Sequence, residues 1–171
     1  MKTKPVVVMP YDAKWKSDFE KIRQEIAGAI GDLIVRIEHV GSTSVCGLSA
    51  KPCIDIDVVI RDYSVFEDLV QKLAAIGYEH EGDLGVKHRE AFRYADKPHQ
   101  QAHHLYVCPA DSEELRRHIT FRDYLRSHPE AVRRYSDVKE QASRLYPDDI
   151  DGYIACKSPV IEEIYRLCGL K

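Results

Sequence analysis

Two aspartates one residue apart, inside an otherwise apolar run, constrain this chain more than any other feature. The run is Cys53-Ile54-Asp55-Ile56-Asp57-Val58-Val59-Ile60. Side chains alternate across a strand, so Asp55 and Asp57 share one face, with Ile54, Ile56 and Val58 on the other. Unpaired carboxylates in such a strand are costly to bury, and neighbouring ones repel unless a cation lies between them. An earlier apolar run ends at Gly41-Ser42-Thr43-Ser44, with Gly41 placed 14 residues before Asp55. Glycine permits a tight turn and close backbone approach. The turn's N–H groups and the hydroxyls of Ser42 and Thr43 suit a phosphate. Together the two runs read as a metal-plus-phosphate site, in which carboxylates hold Mg²⁺ (or Mn²⁺) against a transferring phosphoryl group.

Periodicity around this pair predicts a mixed α/β (α+β) fold. Trp15, Phe19, Ile22, Ile26 and Ile30 recur at three- and four-residue steps, so a helix is expected over about 13–30, with Asp12 as its cap. Strands are expected at 33–40 and 53–60. Ser64-Val65-Phe66-Glu67 reads as a capping box opening a helix that ends at Gly77. Further strands are expected near 78–80, 91–94 and 103–108. Three helices should follow, over about 112–126, 128–145 and 150–168, with Pro159 a candidate kink in the last. Val6-Val7-Val8 reads as an edge strand or an arm on the body. The expected organisation is one domain over 1–171, with a core of about 12–110 and a helical extension of about 111–171.

Composition narrows the class. With 171 residues, 44% hydrophobic and 31% charged, a soluble globular domain is expected. A net charge of −3 argues against a general polyanion binder, which makes nucleic acid an improbable partner while leaving room for a local basic patch. No apolar run reaches membrane-spanning length, and Met1-Lys2-Thr3-Lys4-Pro5 lacks a signal-peptide core, so a cytoplasmic location is expected. The five cysteines are odd in number and form no Cys-x-x-Cys pair, against a disulfide framework or Cys-based zinc site. Between 115 and 145, Lys and Arg are interspersed with acids, which reads as a solvated helix face.

The Val40-Gly41-Ser42 turn followed by Asp55-x-Asp57 resembles the nucleotidyltransferase (polymerase-beta-like) superfamily signature. Ile37-Glu38-His39-Val40-Gly41-Ser42-Thr43-Ser44-Val45, Ala50-Lys51-Pro52, His103-His104-Leu105-Tyr106-Val107 and Lys157-Ser158-Pro159 resemble the GrpB family within it. Cys46 departs from that family's usual proline. The resemblance implies a nucleotidyltransferase-like mixed sheet flanked by helices. It also implies a nucleoside triphosphate substrate whose nucleoside monophosphate passes to an acceptor. The superfamily's third acid is missing, because the strand at 103–108 carries no Asp or Glu. His104 is expected to take a catalytic role there, or Glu38 to supply the carboxylate as a further metal ligand. Lys51 and Arg93 are the favoured phosphate contacts, ahead of Arg89 and Lys157. Three readings follow: a metal-dependent nucleotidyltransferase, a non-catalytic nucleotide- or metabolite-binding module, and a transition-metal hydrolase using Asp55, Asp57 and His104. A homo-oligomer is compatible with each.

Overall fold

The apolar stripe from Trp15 to Ile30 winds into α1 (Lys14–Ile30), in which Trp15, Ile22, Ile26 and Ile30 are buried. In this computed structural model of the chain, residues 5–170 are described. Residues 1–4, read above for a signal peptide, and residue 171, the end of the expected domain, lie outside the described residues.

After α1 the chain runs through β1 (Arg36–Val40), a single 3-10 turn at Ser42–Ser44 and β2 (Ile54–Ile60). There follow α2 (Phe66–Ala75), β3 (Glu79–Gly82), β4 (Glu90–Arg93) and β5 (His103–Pro109). Three helices complete it: α3 (Glu113–Arg126), α4 (Pro129–Leu145) and α5 (Ile150–Leu167). The expected capping box before α2 does not form. Asp62 instead accepts from the Ser64 amide at 2.9 Å and caps a 3-10 turn ahead of the helix. Pro159 lies inside α5 without splitting it. The run at Val6 is an arm: the Val6 amide donates to the Pro147 carbonyl at 2.8 Å, and Met9 bridges Ala50.

The sheet order is β1-β2-β5-β4-β3, with β2 and β5 parallel and the other pairs antiparallel. Its two faces differ in kind. Ile54, Ile56, Val58 and Ile60 join Leu105 and Val107 against α1 and α2, forming the main core. Each such aliphatic side chain contributes about 1.5–3 kcal/mol by leaving water. The opposite face carries Val59 and Cys108, covered by Leu115 and Ile119 of α3. Toward its other end stand Asp57 and Asp55. A second core joins Val45 and Leu48, just after the 3-10 turn, to Leu125, Val132, Tyr135, Val160 and Ile164. The helical extension therefore packs on the segment that carries the Gly-Ser turn.

Candidate phosphate and metal site

Strand register builds the site. Asp55 pairs with Val40 on one side and His104 on the other, while Asp57 lies between Glu38 and Tyr106. Directly paired residues share a face, so Glu38, Asp55, Asp57, His104 and Tyr106 line one surface. The strand at 103–108 thus presents Tyr106, not an acid, beside Asp57.

Gly41 closes onto Asp55. Its φ is +72°, and a Cβ built there would stand 2.2 Å from Asp55 Oδ2. Only glycine permits both the conformation and the approach. The turn is fixed from within: Ser44 Oγ donates to the Gly41 carbonyl at 2.5 Å, and Thr43 Oγ1 pairs with His39 Nε2 at 2.9 Å. Thr43 is therefore a brace on the buried side of the turn, while Ser42 faces the extension.

The two aspartates are in different surroundings. Asp55 is partly exposed, and its Oδ1 lies 3.0 Å from His104 Nδ1. That bond, with Cys53 assisting, raises His104 to about 10, so the imidazole is a cation at neutral pH. Asp57 is fully buried, which pushes its carboxyl upward, and Asp55 adds to the effect. Its Oδ2 is 2.6 Å from His118 Nδ1, and His118 Nε2 lies 3.1 Å from Glu114 Oε1. Burial works against the charge on His118, but Asp57 and Glu114 outweigh it and raise the imidazole. Asp57 Oδ1 is buried with no hydrogen-bond partner among the described residues. An orphaned carboxylate oxygen beside a second carboxylate is the signature expected of a cation ligand.

Glu38 shares the face but is engaged elsewhere. Its oxygens lie 2.7 Å from Arg122 Nη1 and 2.9 Å from Arg36 Nε. Among the described residues no group of three or more His, Cys, Asp and Glu converges as a metal cluster. Asp55 and Asp57, with waters and a substrate phosphate, suit a hard cation such as Mg²⁺. His104 uses its Nδ1 to bind Asp55, which leaves Nε2 as the ring nitrogen open to another partner.

The strongest cationic feature lies outside the strands. Lys139 of α4 donates to Ser42 Oγ and to the Ser49 carbonyl, and its Nζ lies 4.2 Å from the Tyr135 ring centroid. Lys51 and Lys157 both sit over the Tyr153 ring, at 4.9 and 4.7 Å. Burial lowers Lys139 well below an ordinary lysine, and Lys157 and Lys51 push it the same way, while Asp55 opposes them. Burial and then Lys51 lower Lys157 to about 8. None of the three lysines has a carboxylate ion-pair partner among the described residues. Lysines clustered without a carboxylate partner suit a polyanion, whose approach would favour their charged form.

Arg93 does not join this cluster. It pairs with Glu79 across β3 and β4, its Nη2 at 3.0 Å from Glu79 Oε1, both side chains well exposed. It stands two strands from Asp55, about 10 Å at the backbone. Arg89 reaches the site instead, its guanidinium 4.4 Å from the Tyr106 ring centroid. His118 and Lys139 escaped the sequence reading. Their signal was spacing: Glu114, His118, Arg122 and Arg126 recur every four residues, and Lys139 falls on the same helical face as Val132, Tyr135 and Ala142.

The sequence matches the GrpB protein family over residues 5–167. It is 31% identical over 157 residues to the UPF0157 protein YqkA of Bacillus subtilis (strain 168), covering 92% of this chain but 45% of that protein. This chain thus spans less than half the length of that relative. The crystal structure of the conserved protein GrpB from Enterococcus faecalis superposes with a TM-score of 0.83 at 32% identity, covering 95% of this chain and 96% of that one. The Cid1 poly(U) polymerase bound to MgATP superposes with a TM-score of 0.54 at 11% identity, over 77% of this chain and 45% of that chain. That last likeness gives a nucleotidyltransferase-like fold.

Proposed function

This chain belongs to the GrpB family, and from that premise we propose that it is a metal-dependent nucleotidyltransferase acting on a nucleoside triphosphate. The observation that carries the reading is the lysine cluster. Lys139 donates to Ser42 Oγ, Lys51 and Lys157 share the Tyr153 ring close enough to repel Lys139, and Lys139 and Lys157 both feel the charge of Asp55. A triphosphate supplies the negative charge that this pocket lacks.

The chain's own groups divide the work. Ser42 and the turn's amides hold the phosphates, with Lys51, Lys139 and Lys157 neutralising their charge. Gly41 lets the turn lie against Asp55. Asp55 and Asp57 would hold Mg²⁺ (or Mn²⁺), since Asp57 Oδ1 is orphaned and Asp55 Oδ2 is not taken by His104. Such an ion, when bound, neutralises phosphate charge and activates an attacking oxygen. His118 anchors Asp57 and so fixes the orientation of its free oxygen. His104, 3.0 Å from Asp55 Oδ1, orients that carboxylate and stands beside the reacting phosphates. The acceptor hydroxyl attacks the α-phosphorus, the bond to the β-phosphate breaks, pyrophosphate leaves, and the hydroxyl proton passes to solvent.

The decisive test is calorimetric titration of MgATP into the wild type and Asp55→Asn. Binding is expected in the first and its metal-dependent part lost in the second, with an unchanged circular dichroism spectrum. Equal binding by both would remove the metal assignment. Incubation with labelled nucleoside triphosphates, Mg²⁺ or Mn²⁺ and candidate acceptors should then release pyrophosphate.

One observation favours a second reading, a nucleotide-binding module without catalysis. Tyr106 lies where a further acid would stand beside Asp57, and Glu38 is paired with Arg122 and Arg36. Tight MgATP binding with no pyrophosphate from any acceptor would select it.

A further inference from the structure

A cleft of roughly 1210 Å³ opens on the side of the Gly-Ser turn away from the aspartates, between α1, β1 and the C-terminal end of α3. His39 pairs with Ile56 in the sheet, so it lies on the α1 face, opposite Asp55 and Asp57. Thr43 and Ser44 line the cleft, whereas Gly41 and Ser42 meet Asp55 and Lys139. The cleft and the Asp55/Lys139 cluster therefore lie back to back across one turn.

The cleft has a definite chemistry. On its apolar side Phe19 and His39 are stacked, with ring centroids 4.6 Å apart and planes at 11°, and Tyr11 adds a third ring. His39 is a neutral ring, because burial and then Arg126 lower it to about 4. On the polar side stand Lys16, Lys21 and Arg126. Arg126 gives two hydrogen bonds to the Ser44 carbonyl, at 2.8 and 3.1 Å, which fix its guanidinium without neutralising it. Lys16, Lys21 and Arg126 have no ion-pair partner among the described residues. The lining carboxylate, Glu20, is taken by Arg23, whose Nε lies 2.9 Å from its Oε2. Concave sites with an apolar floor and a few convergent charged groups are typical of small-molecule binding.

We infer that this cleft is a second ligand site, taking a small anion that carries an aromatic ring. The ring would lie against Phe19, His39 and Tyr11, and the anionic group would meet Arg126 with Lys16 and Lys21. The site is distinct from the proposed triphosphate pocket and stands whether or not that pocket binds nucleotide.

Phenyl phosphate is a suitable probe, and Trp15 a suitable reporter. Trp15 is the sole tryptophan and packs edge-on against Tyr11 at 5.6 Å. Titration of the full chain should give a saturable change in Trp15 fluorescence. Arg126→Gln should weaken the affinity roughly tenfold, as expected for loss of a charge-assisted contact. Because Arg126 also supports the turn, Lys16→Ala/Lys21→Ala, on the exposed side of α1, is the second variant and should weaken binding while leaving the melting temperature unchanged. Phe19→Leu should lower the preference for phenyl phosphate over inorganic phosphate. Lys139→Met, which disrupts the other pocket, should leave phenyl phosphate binding intact. Absence of saturable binding, loss in Lys139→Met, or indifference to both the Arg126 and Lys16/Lys21 variants would overturn the inference.

Discussion

Gly41 shows how much one residue can hold in place. Its backbone conformation is open to glycine, and the space beside it belongs to Asp55 Oδ2. Gly41→Ala should therefore cost about 1–3 kcal/mol of stability from backbone strain and push Asp55 out of position. Urea unfolding would measure the first effect. Calorimetry with MgATP would show the second as a loss of metal-dependent affinity larger than the stability change alone explains. Lys157 gives a prediction with a pH sign. Burial and Lys51 bring it to about 8, so it is charged below that pH and loses its proton as pH rises through it. Tripolyphosphate, a probe needing no metal, should bind more weakly above pH 8 than below it. Lys157→Met should bind weakly throughout and lose that dependence; a profile unchanged in the variant would mean that Lys157 does not meet the anion.

At the scale of elements, α3 is the piece that turns a sheet into a site. Glu114, His118, Arg122 and Arg126 form a polar stripe along it, and the last three reach Asp57, Glu38 and the Ser44 carbonyl. Arg122→Met should cost about 2–4 kcal/mol, because it leaves Glu38 partly buried and short of its counter-charge. Adding Glu38→Gln should recover part of that loss, and a double-mutant cycle in urea would read the coupling. A purely additive pair would show the bridge to be without weight. The stripe also marks where legibility in the sequence stopped. Among the described residues the helices and the strands β1, β2, β4 and β5 were foreseeable from apolar spacing, and the Asp55/Asp57 face from strand alternation; β3, Glu79-His80-Glu81-Gly82, carries no apolar residue and lies next to the Gly77-Tyr78 break. The helices that complete the site were not, because helical periodicity is read from apolar residues. A charged stripe facing a polar pocket has the composition of a solvated face. Lys139 was hidden for the same reason, although Tyr135 and Ala142 share its side of α4. Arg93 misled in the opposite direction: its strand placement was right, but Glu79, its neighbour in the sheet, holds it away.

At the scale of the whole molecule, two cores meet at the segment after the Gly-Ser turn. The main core lies under the sheet, and the second joins Val45 and Leu48 to the last three helices. Leu48 is fully buried at that junction. Leu48→Ala should cost about 2–5 kcal/mol as a core truncation. It should also loosen the turn that carries Ser42, so tripolyphosphate affinity should fall although Leu48 touches no anion. Thermal unfolding and calorimetry on the same preparation would separate the two effects. Among the described residues no helix is long and apolar enough to cross a membrane.

The bond between Lys139 and Ser42 spans 97 residues of chain, and those from Asp57 to His118 and from Asp55 to His104 span 61 and 49. These are closures of long loops, and β2 and β5 form a parallel pair that no local turn can nucleate. The proposed anion site is therefore expected to be among the last features to assemble on the folding route. In a stopped-flow refolding experiment, helical ellipticity should return first and tripolyphosphate binding in a later, slower phase. With that outcome, tripolyphosphate binding would report completion of folding, whereas secondary structure would report only its early stages.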